Sequence, residues 1–122
     1  MGVIVNKYNK EKQIFYTFYE SSNILYSELI EKKDELKDLI VVFKGGRCYK
    51  YFDVHVQDGL YFSYGFKNNS IGESFNNVII KKGYKFEKLE NADLTKLEEF
   101  KQQLLLELNT NKNEIINENT VD

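Results

Sequence analysis

The chain has 122 residues, of which 42% are hydrophobic and 15% aromatic, and its formal net charge is −2. This length predicts one folded domain with a modest core. The weak charge excludes a protein whose overall field draws in nucleic acid. One cysteine excludes an internal disulfide and indicates a cytoplasmic protein. We expect no leader peptide. We also expect no membrane span, because no stretch approaches ~20 apolar residues.

The N-terminal part of the chain predicts β-strands. A short first strand passes through Val3 and Val5, and Ile14–Tyr19 alternates like a strand with both faces partly covered. The segment Ile24–Leu36 fits either a strand or a helix. We favour a strand to about Glu31, followed by a charged turn with some helical character.

The middle of the chain predicts a β-hairpin. Leu39–Phe43 is rich in β-branched residues, Gly45–Gly46 is a two-residue turn signal, and Arg47–Val54 returns as the partner strand. Because side chains alternate along a strand, Tyr49 and Tyr51 are expected on one face.

Beyond the hairpin, the elements are shorter. A loop or short helix is expected from Asp53 or His55 to Phe66, and residues 67–69 form a turn cluster. Ser70–Ser74 leads into a helix over Phe75–Lys82. A glycine at position 83 suits the end of that helix, and a last strand follows over residues 84–89.

The C-terminal part predicts a longer helix that begins after Asp93. Its apolar stripe consists of Leu94, Leu97, Phe100, Leu104 and Leu108. Leu105 and Leu106 lie off the stripe, which fits either a wide core face or a subunit interface. Residues 109–122 are polar and predict a disordered tail. The fold class is therefore α+β: an antiparallel sheet with one short helix and a longer C-terminal helix, over residues 1–108, expected to oligomerise.

Catalytic chemistry finds little support in the sequence. Cys48 and His55 are seven positions apart along the chain and need not meet, and nothing in the spacing joins Asp53 with Glu73 as a carboxylate pair. Gly72–Asn76 lacks the last glycine of a nucleophile elbow. No His/Cys cluster has metal spacing. We therefore expect no enzyme activity, no cofactor and no metal site.

The central part of the chain resembles KTSC domains, small bacterial modules with a proposed role in RNA binding. The matching residues, in order, are Ser21, Ser22, Asn23, Ile24, Val42, Phe43, Gly46, Tyr49–Val54, Ser70, Gly72, Phe75, Asn76, Ile79 and Tyr84–Leu89. The resemblance covers about residues 21–89. The chain departs from it by an added N-terminal pair of strands and an added C-terminal helix.

These additions, the chain length and a composition typical of an AT-rich phage genome resemble a second group, the phage Thoeris anti-defence proteins of the first type. We rank this resemblance above the first. It implies a sponge that binds glyco-cyclic ADP-ribose, the signal made by bacterial TIR immune enzymes, without cleaving it. It also implies a homo-oligomer with ligand pockets between subunits, in the cytoplasm of the bacterial host cell.

Candidate ligand-binding residues follow from what such a nucleotide requires. Adenine needs an aromatic platform, and its pyrophosphate needs a guanidinium or free N–H groups at a helix N-terminus. An amide at Asn76 suits a base edge or a ribose hydroxyl. The candidates are Arg47, Tyr49, Tyr51, Phe66, Ser74, Phe75 and Asn76. The alternatives are a core role for each aromatic residue, a solvent-facing turn for Arg47, a loop-pinning role for Asn76 and an ordinary capping turn before the helix.

Two other functions remain open. An RNA-binding module is favoured by the KTSC pattern and by the basic set Lys81, Lys82, Lys85 and Lys88. The net negative charge argues against it. The third is a structural phage protein whose leucines serve assembly alone.

Overall fold

The computed structural model describes residues 2–64 and 70–121, with side chains described as far as residue 110. It divides into two compact units, Met1–Ala92 and Asp93–Asp122. One domain over residues 1–108 and disorder over residues 109–122 stay predictions. In the described part of the chain, no helix combines the length and the apolar character needed to cross a membrane.

The first unit contains a six-stranded antiparallel sheet in the order β1-β2-β3-β4-β5-β6, so each strand pairs with the next one along the chain. The strands are β1 Val3–Asn9, β2 Ile14–Tyr19, β3 Ile24–Glu31, β4 Leu36–Phe43, β5 Cys48–His55 and β6 Phe86–Leu89. Between β5 and β6 lie α1 (Val56–Ser63) and α2 (Ile71–Phe75), and α2 continues into a π-helical turn over Asn76–Ile80. The second unit contains α3 (Leu94–Val121). The predicted α+β class is confirmed.

One face of the sheet carries the main core of the first unit. Leu39, Val41 and Val54 on this face are each 0% exposed, because the residues of α1, α2 and the π turn pack onto them. The cluster consists of Tyr19, Ile24, Leu29, Leu39, Val41, Tyr51, Val54, Phe62, Ile71, Phe75 and Ile79. Gly59 lets α1 approach closely, since a Cβ there would lie 2.7 Å from Leu29 Cδ1. Helix α1 therefore sits directly against β3, the strand that carries Leu29.

A β-bulge interrupts β5 near its C-terminal end. The register shifts opposite Asp38, and Asp53 adopts a left-handed backbone with φ 53°. Its N–H donates to the Asp38 carboxylate at 3.2 Å, and Lys32 Nζ lies 3.2 Å from the same oxygen. The bulge keeps Tyr51 and Val54 on the same core face. It also aims the chain so that His55 Nδ1 accepts the Gln57 N–H and caps α1.

Most strand predictions are confirmed. The first two strands lie where the sequence predicted them, and β3 ends at Glu31 as expected. Tyr49 and Tyr51 share a face of β5, also as predicted. Of the loop and the short helix predicted after β5, the structure contains the helix, which His55 caps and which ends at Ser63. Asp93 caps α3 as predicted, since its carboxylate accepts the Lys96 N–H at 3.2 Å.

Three local predictions are wrong. The hairpin loop spans Lys44–Arg47 rather than two glycines alone, because β4 ends at Phe43 and β5 begins at Cys48. The segment after β3 is a turn without helix. The helix expected at Phe75 begins at Ile71 instead, because Ser70 caps it. The predicted turn over 67–69 lies outside the described residues.

Candidate functional site

The end of the β4–β5 hairpin brings a cation onto an aromatic ring. Arg47 is exposed, and its guanidinium carbon lies 5.3 Å from the centroid of the Phe43 ring. A guanidinium in this position is attracted by the face of the ring, which holds the side chain in place. Arg47 is therefore a positioned turn residue whose N–H groups still face solvent.

An aromatic cluster continues from Phe43 across the sheet. The Phe43 ring lies 5.8 Å from Tyr49 and 5.7 Å from Phe75, measured between centroids. Tyr51 lies 5.6 Å from Phe75 and 5.5 Å from Phe86. Four of the sequence-predicted residues (Arg47, Tyr49, Tyr51 and Phe75) are thus brought together by aromatic rings that the prediction omitted.

Burial separates these residues into two groups. Tyr51 is 4% exposed and Phe75 6%, so both are core residues. Tyr49 is half-buried, and Phe86 is 58% exposed beside it, with the two centroids 6.2 Å apart. A ligand that approaches from solvent therefore meets Phe86 and Tyr49 rather than Tyr51 or Phe75.

We call the surface formed by Phe43, Arg47, Tyr49 and Phe86 the hairpin patch. Its charge is positive. Lys88 pairs with Tyr49 across β5 and β6 and is exposed on the same face, and Lys44 is exposed in the hairpin loop. A flat aromatic surface with a guanidinium and ammonium groups at its rim suits a ligand that has both a ring and an anion.

The remaining predicted residues lie elsewhere or fall outside the described range. Ser74 is 0% exposed, and within the described residues its hydroxyl oxygen has no hydrogen-bond partner. Asn76 is exposed at the start of the π turn, next to Phe75 in the chain. Phe66 lies outside the described residues.

The start of α2 is an ordinary capping turn. The Ser70 hydroxyl oxygen accepts the Glu73 N–H at 3.1 Å, and the Glu73 carboxylate lies 3.4 Å from the same hydroxyl. This reciprocal arrangement satisfies one of the helix's first N–H groups and places a negative charge beside it. The segment is therefore an ordinary capping turn, as the alternative interpretation predicted. At the hairpin patch, the group available to an anion is Arg47 rather than the start of α2.

The groups considered for catalysis do not come together. Cys48 lies opposite Val42 and His55 opposite Leu36, at the two ends of β5. Burial, and then the charge of Glu28, raise the pKa of the Cys48 thiol, which leaves it a poor nucleophile.

The carboxylates have other partners. Asp53 accepts a hydrogen bond from Lys32 Nζ at 2.6 Å, whereas Glu73 is engaged with Ser70. Among the residues described, no group of His, Cys, Asp and Glu has the arrangement of a metal site.

A cleft of about 270 Å³ lies at the other end of the same sheet face, under α1. It is lined by Tyr8, Phe15, Leu29, Glu31, Lys37, Val56, Leu60 and Tyr64. None of the described candidate residues lines it. A signal for it was present in the sequence, since Tyr8 and Phe15 flank the first polar turn and pair across β1 and β2.

Comparison with protein-family models, with curated proteins and with solved structures gave no match for this chain.

Proposed function

We propose that this chain is a phage anti-defence sponge, which binds glyco-cyclic ADP-ribose and holds it away from its effector without cleaving it. The observation that carries the proposal is the hairpin patch, where the Arg47 guanidinium lies 5.3 Å from the Phe43 ring beside exposed aromatic surface. The sponge acts as a homo-oligomer in the cytoplasm of the bacterial host cell.

Each part of the nucleotide has a counterpart in the patch. Phe86, 58% exposed, and half-buried Tyr49 offer ring faces to the adenine. Stacking of a base on such a ring is worth ~1–3 kcal/mol. Arg47 offers a planar fork to the pyrophosphate, and Lys88 adds a second positive charge on the same face.

Tight capture requires a second subunit. Nanomolar affinity corresponds to about −12 kcal/mol, and ligand sites of that quality are concave and enclose most of the ligand. The hairpin patch is open on the solvent side of Phe86, which is 58% exposed. A second copy of the chain supplies the opposite wall, and the exposed Leu106 of α3 is a candidate contact between copies.

The candidate residues take different roles in this proposal. Arg47 and Tyr49, together with Phe86, contact the ligand, whereas a contact with Asn76, which lies outside the hairpin patch, stays a prediction. Tyr51, Phe75 and Ser74 support the patch from the core. A role for Phe66 stays a prediction. Burial, and then the neighbouring Tyr49 phenol, raise the pKa of Tyr51, so its hydroxyl remains a neutral hydrogen-bond donor.

The deciding experiment is calorimetry of the full chain with glyco-cyclic ADP-ribose, followed by recovery of the ligand after heat denaturation. We expect tight binding and intact ligand. Arg47→Ala should weaken binding by about one to two orders of magnitude, the loss of a charge-assisted contact. Lys12→Ala, at the exposed β1–β2 turn, is the matched control. Absence of binding, or recovery of a degraded product, would overturn the proposal.

RNA binding is the second candidate function. Lys81, Lys82, Lys85 and Lys88 are exposed on and before β6, the strand that carries Phe86. Aromatic rings beside lysines hold single strands in several folds. RNA affinity would fall steeply with salt, with a slope of about −0.7 per phosphate neutralised. Capture of one pyrophosphate would change far less, so the salt slope separates the two functions.

A further inference from the structure

The cleft under α1 is a separate site whose chemistry the hairpin patch does not explain. Its floor is apolar, with Leu29 3% exposed and Val56 and Leu60 beside it. Its walls are aromatic, and the Phe15 and Tyr64 rings lie 5.1 Å apart between centroids. Its volume of about 270 Å³ lies just below the ~300–1,000 Å³ usual for drug-sized ligands, so it suits a smaller molecule.

Two opposite charges line this cleft. Glu31 and Lys37 face each other across β3 and β4, with Lys37 Nζ 3.7 Å from Glu31 Oε1. The Lys37 side chain is only 14% exposed. In the described part of the chain, Glu31 is its sole charged partner, at a distance longer than a hydrogen bond. Among the described residues no hydrogen bond to the Lys37 ammonium is present, and a ligand anion would supply one.

The carboxylate of the pair shares the cleft lining with a tyrosine. Tyr8 is 45% exposed and lines the cleft together with Glu31. Desolvation first, and then the neighbouring Glu31 carboxylate, raise the pKa of Tyr8, so its hydroxyl remains a hydrogen-bond donor. The Glu31 side chain is 34% exposed, so it is accessible to a donor group of a ligand in the cleft.

We propose that the cleft under α1 binds a free aromatic α-amino acid. Such a molecule carries a carboxylate and an ammonium on one carbon. Its carboxylate would pair with the Lys37 ammonium, and its ammonium with the adjacent Glu31 carboxylate. Its ring fits against the aromatic walls, where ring pairs add ~0.5–1.5 kcal/mol beyond the area they bury. A nucleoside would leave the Lys37 ammonium without an anion, and an aliphatic acid would leave the aromatic walls unused.

The test is calorimetry of the full chain with L-phenylalanine and L-tyrosine. We expect binding that weakens about tenfold or more when any one group is removed. Phenethylamine lacks the carboxylate, 3-phenylpropionate lacks the ammonium, and L-alanine lacks the ring. Equal binding of any of these, tighter binding of adenosine, or no binding of either amino acid at millimolar concentration would overturn the proposal.

Two variants connect the binding to the cleft. Lys37→Met keeps the apolar stem but removes the ammonium, and it should reduce affinity for L-phenylalanine by about tenfold or more. Lys7→Met, exposed on the opposite face of β1 from Tyr8, should leave that affinity unchanged. Leu60→Trp should fill the cleft and abolish binding while circular dichroism reports the native fold. Unchanged affinity in Lys37→Met or Leu60→Trp would refute the assignment.

Discussion

Phe75 and Phe86 are neighbours in the same aromatic cluster, yet they should respond oppositely to truncation. Phe75 is 6% exposed and its ring contacts Phe43, Tyr51 and Phe62 at centroid distances of 5.7, 5.6 and 5.3 Å. Phe→Ala changes at such positions cost ~3–5 kcal/mol, because a cavity remains. Phe75→Ala should therefore remove a large share of a free energy of unfolding that is typically ~5–15 kcal/mol.

Phe86→Ala is the matched control, since the same atoms are removed from a ring that is 58% exposed. Full burial of such a side chain is worth ~1.5–3 kcal/mol, and less than half of this one is buried, so we expect a loss of ~1 kcal/mol or less. Under the proposed function, Phe86→Ala should nevertheless weaken nucleotide binding, because the adenine loses a stacking face.

Urea unfolding followed by far-UV circular dichroism measures both changes, provided that the slope against urea is the same in each variant. Phe75→Leu, which removes less volume, gives an intermediate value if Phe75→Ala fails to fold. A loss below ~1.5 kcal/mol for Phe75→Ala, or a larger loss for Phe86→Ala than for Phe75→Ala, would show that the assignment of core and surface is reversed.

Three further predictions concern stability. Gly83→Ala should cost about 1 kcal/mol in urea unfolding, because φ is +74° and no atom lies within 4 Å to offset the strain; an unchanged value would contradict the left-handed cap. Asp38→Ala should cost ~1–3 kcal/mol, because the Asp53 N–H at the bulge loses its acceptor, whereas Asp38→Asn should cost less; equal losses would argue against that bond. Burial above all raises the pKa of Tyr19, whose hydroxyl shares a hydrogen bond with Ser27 at 2.7 Å. Its contribution to stability is therefore complete below the unfolded value of ~10 and lost as the pH rises above it, and urea titrations from about pH 8 to about pH 11 should show that fall.

The sheet could be predicted from the sequence where hydrophobic alternation and turn residues agreed. Ile14–Tyr19 and the Tyr49/Tyr51 face follow directly from a period of two. The bulge at Asp53 could not be predicted, because a single residue with a left-handed backbone opposite Asp38 does not change the pattern of hydrophobic residues in the sequence. The π turn after Phe75 was missed for a related reason. Its backbone hydrogen bond runs from the Lys81 N–H to the Asn76 carbonyl, and no residue type requires that spacing.

The candidate site was predictable in part. Tyr49 and Arg47 were accessible to sequence reasoning because they flank a recognisable hairpin. Phe86 was not selected, although its alternation with Lys88 placed both on one face of a strand. The cleft under α1 combines four strands with a helix, and such a juxtaposition depends on tertiary packing that a single sequence does not state.

The consecutive strand order also affects how the chain is made. β1 to β5 emerge from the ribosome in the order in which they pair, so the contacts between them are local and form early. The elements that cover the apolar face, over residues 56–63 and 71–80, are synthesised afterwards. Translation proceeds at ~5–20 residues per second, so the apolar face stays uncovered for roughly 1–5 s. During this interval Leu39, Val41 and Val54 are open to other chains, which makes the nascent protein most prone to aggregation before α1 and α2 dock.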